Sequence, residues 1–153
     1  MAGGVAQFTC ICAWLPTGCS SAVVGADPAS GGPAGTSDAD QLLQTLDAVR
    51  ARSPVRSISV ETNPNHLQPE LLRRLRDAGV TRLSVGVQSF QPHLLAALDR
   101  AATPQQARDV IGCARATGFE NLSIDLIFGI PGQTPDDLEA DLAEALALAP
   151  DHV

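Results

Sequence analysis

The stretch from Asn121 to Asp137 reads NLSIDLIFGIPGQTPDD. Six of the nine residues after Asn121 are apolar, yet Asp125 sits among Ile124, Leu126 and Ile127. A buried, unpaired carboxylate is very costly. Asp125 therefore faces either solvent at a sheet edge or a polar cavity with something to bind. NLSIDLIF has the composition of a strand, and Thr134-Pro135 followed by Asp137 has the spacing of a helix start with a capping box.

Working outward, the same alternation recurs. DADQLLQTLDAVRA reads as a helix with Leu42, Leu43, Leu46 and Val49 on one stripe. Ser37 to Asp40 has capping-box spacing there, with Asp38 as another candidate cap. RSISVE predicts a strand over 56–61, and RLSVGVQ a strand over 82–88. Between them PELLRRLRDAG predicts a helix with Pro69 at its start, Gly79 just past its end, and Leu71, Leu72, Leu75 and Ala78 as its buried stripe. A short helix over 92–99 follows. TPQQARDVIGCARATG then starts with Thr103 as cap, Pro104 in the first turn and Gln106 closing the box. Cys113 falls mid-helix as a packing residue. From residue 38 the order is αβαβαβα, which implies a parallel sheet, doubly wound or barrel-like.

The three strands share one pattern. In SISVE, RLSVGVQ and NLSID, an aliphatic residue precedes Ser, another aliphatic follows, and then a special position occurs. Side chains alternate faces along a strand. Ser59 and Glu61, then Ser84, Gly86 and Gln88, then Ser123 and Asp125, therefore share a small and polar face. The aliphatic face is the one for helices to cover. An ordinary barrel fills its interior with branched aliphatics; Ser, Gly, Glu, Gln and Asp instead predict a hollow polar interior for a ligand. Glu61, Gln88 and Asp125 fall at or near carboxyl strand ends, where parallel α/β proteins place their sites. Two other readings remain open: a solvent-exposed polar sheet face, and a Glu61–Asp125 general acid/base pair. His66, His93 and His152 read as solvated surface residues.

With 153 residues the chain amounts to one domain. A net charge of −7 gives no basic face for nucleic acid. Residues 1–37 carry one charged side chain, Asp27, together with three of the four Cys and the sole Trp. They are read as an atypical, poorly ordered N-terminal segment, and 38–153 as the domain proper. No Lys or Arg precedes Arg50, so the positive region of a secretory signal is missing. No segment approaches the ~20 apolar residues of an integral membrane segment. The expectation is a cytoplasmic protein whose cysteines are thiols.

ETNPNHLQPELLRRLRDAGVTRLSVGVQSF and GFENLSIDLIFGIPGQT closely resemble the radical S-adenosyl-L-methionine (SAM) proteins related to oxygen-independent coproporphyrinogen III oxidase. The likeness runs from about Asp38 to Val153, and VQSF resembles the heme chaperone branch more than the oxidases. The resemblance implies an α/β fold: a partial (β/α) barrel of radical SAM type, truncated at both ends. It also implies action in porphyrin or heme metabolism. Glu61, Gln88, Arg100 and Asp125 would be SAM ligands. Carboxylates would accept from ribose hydroxyls or the methionyl ammonium, and Arg100 would fork onto the methionyl carboxylate. Gly129 would let the backbone pass close to adenine. Gly31 and Gly32 correspond in part to the family's Gly-rich loop for the ammonium, although its Thr-Pro is missing. The family's 4Fe-4S cluster is held by C-x-x-x-C-x-x-C, whereas this chain has Cys10, Cys12 and Cys19 at other spacings. No metal ligands are assigned, and this chain alone is expected to be inactive in radical chemistry. The rival from another class is a non-catalytic remnant or an α/β domain binding some other small molecule.

Overall fold

The structure, a computed structural model, describes residues 8–15, 18–25, 38–52 and 56–153; for 8–15, 18–25 and Asp38 the backbone alone is described. The elements are β1 (Phe8–Leu15), β2 (Gly18–Gly25), α1 (Asp38–Arg52), β3 (Ser57–Thr62), a 3-10 turn (Pro64–His66), α2 (Pro69–Asp77), β4 (Arg82–Gln88), α3 (Pro92–Ala97), α4 (Pro104–Ala116), β5 (Asn121–Leu126) and α5 (Pro135–Ala147). They build one sheet in the order β2-β1-β3-β4-β5. β3, β4 and β5 are parallel neighbours, and β1 runs antiparallel to both β2 and β3.

Helices α4 and α5 start where their side chains dictate. The Gln106 amide donates to Thr103 Oγ1 at 3.2 Å, and the Thr103 amide donates to Gln106 Oε1 at 2.8 Å. At α5 the Asp137 amide donates to Thr134 Oγ1 at 3.2 Å and the Thr134 amide donates to Asp137 Oδ2 at 2.9 Å. Both are complete capping boxes with Pro in the first turn. The cap anticipated at Ser37 and Asp38 lies outside the described side chains.

The sheet has two unlike faces, as its alternation requires. Ile58, Val60, Leu83, Val85, Val87, Leu122 and Ile124 are buried against Leu42 and Leu46 of α1, Leu72 and Leu75 of α2, and Ala107, Val110, Ile111 and Ala114 of α4. Full burial of each large aliphatic contributes roughly 1.5–3 kcal/mol relative to exposure. Cys113 packs partly buried against this core. Leu43, Val49, Leu71 and Ala78, expected on the stripes of α1 and α2, are only partly buried. They border the core instead of filling it.

β1 and β2 lie in the segment to which the sequence assigned no element. The backbone of β1 pairs residue for residue with that of β3, from Cys10↔Glu61 to Trp14↔Ser57. Their sequences, FTCICAWL and GCSSAVVG, lack the charged positions that mark alternation elsewhere. Beyond α5 the chain returns to the other side of β5. The Ile124 amide donates to the His152 carbonyl at 3.0 Å, and the Asp151 amide to the Leu122 carbonyl at 2.9 Å. Ser123 and His152 form a parallel bridge.

Candidate functional site

The register brings the polar positions together. Glu61 pairs with Ser84, Ser84 with Ser123, and Gly86 with Asp125. In a parallel ladder, paired residues share a face. Ser59, Glu61, Ser84, Gly86, Ser123 and Asp125 thus lie on the face opposite the aliphatic core.

Asp125 has definite partners. Ser84 Oγ lies 2.9 Å from both Asp125 carboxylate oxygens, and Ser123 Oγ lies 3.3 Å from Oδ1. The repeated Ser of the strand pattern therefore has a task on this face: it orients the carboxylate from the neighbouring strand. Asp125 is half-buried and Glu61 is exposed. Ser84 stands between them in the register, which separates the two acids instead of making them a mutually bonded pair.

A second cluster forms at the carboxyl end of β4. The ladder to β5 shifts register between Gly86 and Gln88, and Gln88 has φ +70°. The Ser89 amide donates to the Val87 carbonyl at 2.9 Å, closing a tight three-residue turn with Gln88 at its centre. A γ-turn with positive φ at a non-glycine residue is rare and strained. It folds the Gln88 side chain back over Gly86: a Cβ on Gly86 would meet Gln88 Nε2 at 2.7 Å and Asn63 Oδ1 at 3.3 Å. A side chain at position 86 would push the Gln88 amide aside. Asn63 Oδ1 in turn accepts from Arg100 Nη1 at 2.7 Å.

Arg100 is delivered by the end of α3. Asp99 takes φ +52°, and the Arg100 amide donates back to the Leu95 carbonyl at 3.0 Å, a left-handed helix termination. The side chain then reaches across to the loop after β3. Gln88, Asn63 and Arg100 consequently converge over Gly86, beside Asp125 across the β4–β5 register.

The loop after β5 forms the outer rim. Gly129 and Gly132 have φ +76° and +86°. The Gly129 amide donates to Gln133 Oε1 at 2.7 Å, which fixes the turn. A Cβ at Gly129 would meet nothing within 4 Å, so the glycine serves the backbone conformation, and space lies open beside it. Phe128 in the same loop is 82% exposed.

Of the residues anticipated from sequence, Glu61, Gln88, Arg100, Asp125 and Gly129 belong to this one face and its rim. Gly31 and Gly32 lie outside the described residues, as do the side chains of Cys10, Cys12 and Cys19. Among the described residues no group of three His, Cys, Asp or Glu side chains is arranged to hold a metal ion. His66, His93 and His152 are exposed. Asn63 was missed, although it stands inside the quoted motif ETNP. Its part emerges only from its contact with Arg100, 37 residues away.

Comparison with known proteins identifies the family of the fold. The family model of the radical SAM superfamily matches residues 23–145. The heme chaperone HemW of Mycobacterium tuberculosis is 39% identical over 117 residues, covering 74% of this chain and 30% of that protein. The oxygen-independent coproporphyrinogen III oxidase of Thermostichus vulcanus is 38% identical over 112 residues, covering 73% and 32%. The solved coproporphyrinogen III oxidase HemN of Escherichia coli, a radical SAM enzyme, superimposes with a TM-score of 0.68 at 30% identity, over 79% of this chain and 28% of that one. The chain thus spans about a third of the length of the curated relatives it matches. With three parallel strands, outer helices and a polar inner face in the expected order, the chain belongs to the radical SAM superfamily as a partial (β/α) barrel.

Proposed function

We propose that the polar face of β3, β4 and β5 binds S-adenosylmethionine. The observation that carries this reading is the convergence of Gln88, Asn63 and Arg100 over Gly86, next to the serine-bound Asp125. The donors and acceptors suit the ligand. Arg100 spends one N–H on Asn63 and retains others for a carboxylate. Asp125, already oriented by Ser84, has lone pairs left for hydroxyl or ammonium donors. Glu61 supplies a second acceptor, Gln88 both donates and accepts, and the loop at Gly129 provides an open backbone edge. The rival reading, a bare solvated sheet face, gives no reason for a strained Gln88 held over a glycine.

When bound, SAM supplies a sulfonium group whose carbon–sulfur bonds are open to cleavage. The residues described here bind and orient it. The cluster that the family pairs with SAM is another matter. Cys10, Cys12 and Cys19 do not reproduce the C-x-x-x-C-x-x-C spacing, and the described side chains offer no alternative ligand set. No step through a cluster is derived for these residues, and this chain alone is assigned SAM binding without radical chemistry. The names of its relatives support a parent role in porphyrin or heme metabolism. No described helix is long and apolar enough to cross a membrane; a cytoplasmic setting is part of the proposal.

Isothermal calorimetry with SAM tests the site. Wild type is expected to bind, and Asp125→Ala to lose detectable heat while melting at the same temperature or higher. Equal binding by both proteins removes Asp125 from the site. Loss of folding in the variant makes Asp125 a structural residue. A separate anaerobic reconstitution with iron and sulfide, followed by assay for 5′-deoxyadenosine, is expected to show no turnover. Turnover that disappears with Cys10, Cys12 and Cys19 changed to Ala overturns the binding-only assignment.

A further inference from the structure

One buried carboxylate lies outside the site yet holds the segment that shapes it. Asp141, on α5, is fully buried. Its Oδ2 accepts from Ser89 Oγ at 2.7 Å. Its Oδ1 accepts from the Phe90 amide at 2.8 Å and from Gln91 Nε2 at 3.2 Å. Ser89 Oγ also accepts from the Gln91 amide at 3.0 Å. Every one of these donors belongs to the three residues that directly follow Gln88. No basic side chain is among these contacts, so hydrogen bonds alone satisfy the buried carboxyl, an arrangement that is costly to disturb.

Gln88, at the centre of a γ-turn with positive φ, is strained. Its positive φ persists only where the surroundings over-determine it. On one side the ladder holds Gly86, paired with Asp125. On the other side the Ile127 amide donates to the Gln88 carbonyl at 2.9 Å, and Asp141 holds residues 89–91. Without the carboxylate the turn is free to relax toward an ordinary extended strand end, and the Gln88 side chain leaves its place over Gly86. We propose that Asp141 is a positioning residue for the site: it locks the turn that aims Gln88, acting from α5 through Ser89. The link from Gln88 to ligand affinity rests on the SAM-binding reading; the link from Asp141 to the turn does not.

The test uses the full chain with Asp141→Leu, which fills the space without accepting hydrogen bonds, and Ser89→Ala, which removes one donor to Asp141 and the acceptor of the Gln91 amide. The first readout needs no ligand. Amide hydrogen exchange is followed at residue 89, whose N–H closes the turn, and at Ile127, whose N–H holds Gln88. Both are expected to exchange at least about tenfold faster in the variants, while Leu83 and Ile124 in the core keep wild-type protection. The second readout is SAM affinity, expected to fall about tenfold with the loss of one well-placed hydrogen bond. In a Gln88→Ala background, Ser89→Ala is expected to cost nothing further. Unchanged exchange at residues 89 and 127 overturns the proposal, and so do affinity losses that simply add. If wild type fails to bind SAM, the site reading falls and the exchange data alone decide the role of Asp141. If Asp141→Leu does not fold, Ser89→Ala decides in its place.

Discussion

At the scale of single residues, the chemistry of this chain lies in how polar groups are pinned. Arg100 faces Asn63 with a planar, forked cation, and a point charge cannot reproduce that geometry. Arg100→Lys is expected to leave the melting temperature unchanged while weakening SAM binding about tenfold, as read by calorimetry. Asp137 offers a pH test away from the site. The Thr134 side chain and amide, followed by nearby His93, hold its carboxyl below the ordinary 3.8. A carboxyl depressed in the folded state stabilises the fold above its unfolded value, and that contribution is lost as pH falls through the folded value. Melting temperature against pH should therefore decline below about 3.8 in wild type. In Asp137→Asn the profile is expected to be flatter in that acid window, starting from a lower plateau at neutral pH.

At the scale of elements, α4 carries a removable defect. Gly112 is exposed mid-helix, and a Cβ there would meet nothing within 4 Å. Gly112→Ala is expected to raise stability by roughly 0.5–1 kcal/mol in chemical denaturation. Thr103→Ala should cost about 1 kcal/mol through loss of the cap. These starts and stripes were legible because they are local: Thr103-Pro104-Gln106 and Thr134-Pro135-Asp137 state their caps within four residues. The alternation of SISVE, RLSVGVQ and NLSID likewise stated which residues share a face. Four features were not legible. Asn63 meets Arg100, and Asp141 meets Ser89, across separations of 37 and 52 residues. The turn at Gln88 depends on a register shift that no single strand encodes. β1 and β2 escaped because their residues alternate without charge to mark the faces.

At the scale of the whole molecule, the sheet divides labour between its faces, and the division is testable with adjacent residues. Leu83 is fully buried, while Ser84 next to it points to the polar side and holds Asp125. Leu83→Ala is expected to lower unfolding free energy by about 2–5 kcal/mol. Ser84→Ala should change it by no more than about 1 kcal/mol. Their effects on SAM affinity should reverse that order. A stability loss at Ser84 comparable to that at Leu83 would mean that the polar face is part of the core.

The return of residues 151 and 152 to β5 also bears on self-association. Unpaired strand edges recruit other strands, and Asp151 closes part of this one, its Oδ2 accepting from both the Leu122 amide and Arg115 Nη2 at 2.8 Å. Those two bonds hold its carboxyl below the ordinary 3.8, whereas the chain as a whole reaches neutrality near pH 4.7. The carboxylate that makes the clasp is therefore expected to persist through the mildly acid range in which the composition brings the chain to neutrality. Colloidal and edge-to-edge association are thus expected to fall in separate acid ranges. Removing the clasp in Asp151→Ala should merge them, with thioflavin-positive aggregates forming near neutrality of charge where wild type gives at most a reversible, amorphous precipitate.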